Sequence, residues 1–149
     1  MSIPEAASAP ALLPATFARW FASRGWQPRA HQLDLLAKAR ARRSVLLIAP
    51  TGAGKTLAGF LPTLVDLAGA ARSSSGRLRS VGREVRRAGL DTLYISPLKA
   101  LAVDIARNLE RPVAEMELAV RIETRTGDTP ASKRQRQRRD PPDILLTTP

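Results

Sequence analysis

Residues 44–49, SVLLIA, form an unbroken apolar run of strand length that opens directly into PTGAGKT, a stretch of small residues and turn formers ending on a lysine and a threonine. A run this apolar reads as a parallel strand covered on both faces. Beyond it, Leu57, Phe60, Leu61, Leu64 and Ala68 recur at helical spacing, although Pro62 should kink that helix or shift its first turn. Strand, glycine turn and helix in that order leave few folds open. The first amides of a helix have no partner inside it, so the turn is built to offer hydrogen-bond donors to something else.

The rest of the chain supports a sheet with helical crossovers. ATFARWFASR (15–24) places Phe17, Trp20 and Phe21 on one helical face, with Gly25 suited to a left-handed end. Pro28 suits the first turn of a second helix running to about Arg40. DTLYIS (91–96) predicts the next strand, and Leu98, Leu101, Ile105 and Leu109 mark a helix that stops before Pro112. AVRIET (119–124) predicts a strand, residues 130–139 a short helix, and DILLTT (143–148) a last strand. Four strands separated by helices predict an α/β fold with a parallel sheet and ligands at the carboxyl ends of the strands. Residues 1–12 read as a disordered N-terminus, and 69–89, rich in Gly, Ser and Arg, as an exposed, flexible, basic insertion.

Composition narrows the function classes. Of the 149 residues 44% are apolar and 25% charged, enough for a real core. No cysteine occurs, which excludes a disulfide scaffold and a thiolate zinc site and suits a reducing cytoplasm. The first residues lack a signal-peptide pattern, and no apolar run approaches the length of about 18 needed to cross a bilayer. The expectation is a cytoplasmic protein without a membrane partner. The net charge of +11 is concentrated. Residues 72–87 carry six Arg and one Glu, and KRQRQRR (133–139) carries one Lys and four Arg, while the remainder holds 13 basic and 12 acidic residues. Such runs are either solvated faces or patches for a polyanion.

APTGAGKT (49–56) fits the phosphate-binding loop, with Ala49 in place of the first glycine of the strict pattern. Gly52 and Gly54 can take positive φ and let backbone approach closely. The amides across Thr51, Gly52, Ala53, Gly54, Lys55 and Thr56 can then converge on phosphate oxygens at a helix N-terminus. Lys55 can reach the β and γ phosphates, and the Thr56 hydroxyl can ligate Mg²⁺. The competing reading, a glycine turn with a solvated lysine, is disfavoured by the apolar run before the loop and the amphipathic pattern after it.

Five motifs in order now resemble one family. GWQPRAHQ (25–32), APTGAGKT, YISPLKALA (94–102), TRTGDTP (124–130) and PPDILLTTP (141–149) are similar to the first RecA-like domain of superfamily 2 DExH-box helicases. The resemblance is closest to the large helicase-related, ligase-associated group, and it spans residues 13–149. It implies an incomplete RecA-like P-loop domain with a mainly parallel sheet flanked by helices, using ATP and Mg²⁺.

By that resemblance Gln32 is the adenine-reading glutamine, with Trp26 near a helper aromatic, and Lys55 and Thr56 are the catalytic residues of the loop. The segments Ser96, Pro97, Leu98 and Lys99; Arg125, Thr126, Gly127 and Asp128; and Thr147, Thr148 and Pro149 resemble those that grip one nucleic-acid strand by its backbone. The strand is expected to be single-stranded DNA, with RNA as the alternative, in the service of DNA repair. KRQRQRR lies between two of these segments and is read as a solvated face or as a further backbone contact. His31, the single histidine, fits a structural or local nucleotide-site role rather than catalysis.

An acidic pair following a hydrophobic strand, which such motors need for Mg²⁺ and water, is not apparent in the sequence: Asp140 and Asp143 precede the run ILL. The DExH segment and the second RecA-like domain are therefore expected C-terminal to this stretch, which by itself should not sustain hydrolysis. Two other classes stay open, a P-loop small-molecule kinase and a nucleic-acid-binding module independent of nucleotide.

Overall fold

A computed structural model describes residues 12–76 and 89–149, with the side chains of 71–76 excepted. The elements are α1 (Ala15–Ser23), α2 (Ala30–Arg40), α3 (Lys55–Gly76), β1 (Thr92–Ile95), α4 (Lys99–Glu115), β2 (Ile122–Arg125), α5 (Ala131–Arg139) and β3 (Ile144–Thr147). They fall into two compact units, Met1–Val65 and Asp66–Pro149.

In the first unit, α1 buries Phe17, Trp20 and Phe21, the face its spacing predicts. Gly25 takes φ 66° and closes the helix, its amide donating to Ala22 O at 2.9 Å while the Trp26 amide donates to Phe21 O at 2.9 Å. Both carbonyls would otherwise be orphans of the last turn. α2 begins two residues after Pro28. Arg29 is its N-cap, and the Gln32 side chain reaches back to accept from the Arg29 amide at 2.9 Å.

The apolar run 44–49 departs from expectation, because it forms no strand. A strand exists through the ladder of a neighbour, and none of the described residues pairs with this segment. Val45, Leu46 and Ile48 are consequently exposed, at 40%, 84% and 85%.

α3 reaches further than the sequence reading placed it. It runs through Pro62 without a break, with Leu61 and Leu64 fully buried on either side of the ring. It then continues through residues 69–76, so the start of the expected insertion is helical; residues 77–88, like 1–11, lie outside the described residues.

The second unit is a three-stranded parallel sheet in the order β1-β3-β2. Tyr94 and Thr124 both stand level with Leu146, so β3 is paired on both sides. Its inward residues Ile144 and Leu146 are completely buried. α4 packs on β2 and β3 and buries Ala102, Ile105, Ala106, Leu109 and Val113. This helix does not stop before Pro112 but continues to Glu115, a further correction. The missing Pro112 amide costs one helical bond. Burial of Pro112, Val113 and Met116 offsets it.

The approach to β3 is fixed by charge. The Arg121 guanidinium forks onto Asp140 at 2.7 and 3.0 Å and also donates to Pro141 O, while the Arg121 amide donates to Asp143 at 2.7 Å. The hydrogen bond to Asp140 holds the Arg121 pKa above its ordinary value. Asp140 and Asp143 thus order the crossing from α5 into β3.

Candidate functional site

The phosphate-loop residues all belong to the first unit. α3 begins at Lys55, and Gly52 and Gly54 take φ 79° and 72°, conformations in which a side chain would be strained. The Ala53 amide closes the turn onto Pro50 O at 3.2 Å and Ala53 is buried, whereas Thr51, Gly52, Lys55 and Thr56 are exposed. Among the described residues, the amides of Gly52, Gly54, Lys55 and Thr56 donate to no other group. Unpaired amides at the positive end of a 22-residue helix form a ready anion site. The Lys55 ammonium is folded over the same turn, donating to Ala49 O at 2.8 Å and Pro50 O at 2.7 Å. An incoming phosphate can take that charge over by exchanging these exposed bonds.

Gln32 sits closer to the loop than its sequence position suggests. It is 3% exposed, and while its Oε1 accepts from Arg29, its Nε2 donates to Gly54 O at 3.5 Å. One amide therefore ties the start of α2 to the start of α3. Close by in sequence, the Arg24 guanidinium lies 5.3 Å from the Trp20 ring centre and 5.2 Å from that of Trp26. Trp26 remains half exposed beside this cation. His31 keeps a buried Nε2 that makes no hydrogen bond among the described residues.

The three other motif segments belong to the second unit and gather at the carboxyl ends of its strands. SPLK follows β1, TGD follows β2, and TTP closes β3 between them. Their side chains differ in availability. Ser96 is 1% exposed; its amide donates to Thr147 O at 3.0 Å, and its hydroxyl bridges the Leu98 amide and carbonyl. The Thr147 hydroxyl donates to Arg125 O at 2.7 Å. These two hydroxyls brace the strand ends. Pro97, Leu98, Lys99, Gly127, Asp128 and Pro149 are exposed, with Arg125, Thr126 and Thr148 half-buried. Lys99 is paired with Asp128.

The basic run 133–139 lies on α5 and divides into two sets. Arg134 bonds to loop carbonyls, Arg136 donates to Glu123 at 2.8 Å, and Gln137 donates to Glu123 and to Thr124 O. Arg138 and Arg139 are exposed. Burial alone would raise the Glu123 pKa, but hydrogen bonds from Gln137 and Arg136 outweigh it and hold the carboxyl below its ordinary value. A charge count cannot separate arginines that bond inward from those facing water, so the role of Arg134 was hidden in the run.

The parallel sheet, its α4 layer and the glycine turn heading α3 define an α/β protein of the RecA-like kind. Comparison with known proteins agrees. The DEAD/DEAH box helicase model matches residues 29–149. The Lhr helicase/uracil glycosylase of Escherichia coli is 41% identical over 144 residues, covering 87% of this chain and 9% of that protein. The ATP-dependent helicase Lhr-Core of Methanothermobacter thermautotrophicus is 40% identical over 116 residues, covering 72% and 12%. Among solved structures, the Mycobacterium smegmatis helicase Lhr bound to ssDNA and AMP-PNP superposes with a TM-score of 0.73 at 34% identity, covering 91% of this chain and 17% of that one. The DUF1998 helicase MrfA bound to DNA and AMPPNP gives 0.72 at 26% identity, covering 93% and 17%. The chain belongs to the DEAD/DEAH box helicase family. It corresponds to a small part of the length of these relatives.

Proposed function

We propose that these residues are the N-terminal ATP-binding part of an ATP-dependent DNA helicase or translocase. The observation that carries the reading is the row of unpaired amides at Gly52, Gly54, Lys55 and Thr56, with one ammonium held beside them. A triphosphate tail would take both, and the AMP-PNP in the M. smegmatis relative supports that ligand. The residues fit the phosphates well. Magnesium would be held by the Thr56 hydroxyl together with phosphate oxygens, in keeping with an ion that retains water and takes few protein ligands. Among the described residues no three His, Cys, Asp or Glu side chains gather as a metal cluster. When bound, the ion would screen the negative charge of the phosphates.

Single-stranded DNA is the proposed second ligand, lying across residues 96–99, 125–128 and 147–149. Exposed loops at adjacent strand ends can follow a sugar-phosphate backbone without reading bases. The DNA in the M. smegmatis and MrfA structures supports this choice. The uracil glycosylase in the name of the E. coli relative supports a setting in DNA repair, which we place in the cytoplasm. Asp140 and Asp143 are engaged by Arg121, so neither is offered to a metal ion. The 149 residues by themselves are therefore expected to bind nucleotide without sustained hydrolysis.

The test is a titration of the 149-residue chain with a fluorescent ATP analogue and, separately, with labelled single-stranded DNA. Lys55→Ala should weaken nucleotide binding at least about tenfold, the loss of a charge-assisted phosphate contact. Unchanged nucleotide affinity in that variant would sink the assignment. DNA binding lost on reversing the charges of Arg134, Arg136 and Arg138, with Lys55→Ala silent in both titrations, would favour a nucleotide-independent binding module.

A further inference from the structure

The loop after β2 is shaped by an arginine that lies outside it. Arg134 Nε donates to Thr129 O at 2.7 Å, and its Nη2 donates to Gly127 O at 2.5 Å and Thr126 O at 3.5 Å. The loop is closed further by the Thr129 amide on Thr126 O at 3.1 Å and by the Thr126 amide on Thr129 Oγ1 at 2.8 Å. Three carbonyls of one short turn are thus drawn onto a single guanidinium. The amides of Gly127 and Asp128 make no hydrogen bond among the described residues.

Electrostatics gives this arrangement a direction. A loop whose carbonyl oxygens point at a phosphate repels it, and one whose amides do so attracts it. The guanidinium presents its donors in a fixed planar fork that matches these three carbonyls; a lysine supplies the same charge from a single point, without that geometry. Arg134 is also anchored from behind, because α5 is tied to β2 by Gln137, which is 4% exposed and donates to Thr124 O at 3.2 Å and to Glu123 at 2.8 Å.

We propose that Arg134 is a positioning residue for the strand-binding surface: it gathers the carbonyls of Thr126, Gly127 and Thr129 and so leaves the Gly127 and Asp128 amides for a backbone phosphate. The inference rests on the reading that this loop meets a nucleic-acid strand. It assigns Arg134 no phosphate of its own. That separates it from Arg138 and Arg139, which are exposed on the same helix.

The experiment compares Arg134→Lys and Arg134→Ala with the parent chain, with α5 content checked by circular dichroism. Single-stranded DNA affinity is measured across a series of salt concentrations, and amide hydrogen exchange is followed at Thr126 and Thr129. Both variants should lose protection at these two amides and bind DNA about tenfold more weakly, as for one lost contact to a charged oxygen. The slope of log affinity against log salt should stay as in the parent, because no counterion-releasing contact has been removed. A direct phosphate contact predicts the opposite pattern, with Lys restoring affinity and Ala lowering the slope by about 0.7. Either of those results overturns the proposal, as does parent-like exchange in both variants. A parent chain that binds no DNA removes the strand-binding reading, and exchange at Thr126 and Thr129 then decides whether Arg134 orders the loop.

Discussion

Lys99 and Asp128 form an ion pair that joins the start of α4 to the loop after β2. α4 follows β1 and the Asp128 loop follows β2, and β3 lies between those two strands. A cation proposed for a phosphate is thus held by an anion from the facing loop. Both side chains are exposed, at 53% and 72%, and such a pair contributes only about 0.2–1 kcal/mol. A strand phosphate can therefore displace Asp128. Asp128→Asn is expected to tighten single-stranded DNA binding by up to about fivefold at low salt and to steepen the salt dependence. Fluorescence anisotropy at several salt concentrations checks it. Weaker binding in that variant would show that the carboxylate itself contacts the strand.

Gly54 and Gly52 carry similar backbone strain for any side chain but differ in their surroundings. A methyl group added at Gly54 would meet Gln32 Nε2 at 3.0 Å, whereas one at Gly52 meets nothing within 4 Å. Gln32 is buried and held by Arg29, so it has little room to yield. Gly52→Ala should cost about 1–2 kcal/mol from the left-handed conformation alone. Gly54→Ala should cost more and loosen nucleotide binding further. Urea unfolding of both variants, paired with nucleotide titration, gives the comparison, and equal losses would mean that the Gln32 contact does not matter.

Local pattern made most of the second unit legible. β1 and β3 fall within their expected stretches, β2 overlaps the end of 119–124 and runs on to Arg125, and α5 spans nearly all of 130–139. Those elements are specified by their own residues, and β1 and β2 each find their partner in β3. The run 44–49 was misread because apolar periodicity reports what a segment would do beside a partner strand, and says nothing of whether one is there. Pro112 was overruled by packing, since Val113 and Met116 carry buried surface that the helix must extend to reach. At the candidate site the spacing of PTGAGKT fixed the turn and the helix start. The second bond of Gln32 and the pairing of Lys99 depend on contacts between segments far apart in the chain, and the inward turn of Arg134 depends on how α5 folds back on the loop before it, which no residue pattern records.

Glu123 ties the acid limb of stability to α5. Its carboxyl accepts from Arg136 and Gln137, both at 2.8 Å, and its pKa lies below the ordinary value of 4.5. A carboxyl depressed in the folded state contributes stability that is fully present above its unfolded pKa and is lost as pH falls through the folded value. The parent should therefore lose stability as pH drops below about 4.5, in part through this group. Glu123→Gln should be less stable near neutrality and show a shallower acid limb. Urea midpoints between neutral and acidic pH test the sign, and parallel curves for parent and variant would rule the linkage out.

Leu46 and Ile48 present the largest fractional exposures of any large apolar side chains among the described residues, at 84% and 85%. Unpaired backbone next to such side chains is a template for association with a second chain. Replacing both by Thr puts a β-branched, strand-compatible residue at each position and removes much of the apolar surface, yet takes away no buried contact of the described structure. The double variant is expected to stay in solution at higher concentration, with its urea midpoint within about 0.5 kcal/mol of the parent, as is usual for surface sites. Light scattering against concentration and the unfolding curve give the two readouts. A large fall in stability would mean that these side chains are buried in the folded chain, and the exposed conformation of residues 44–49 would then have to be abandoned.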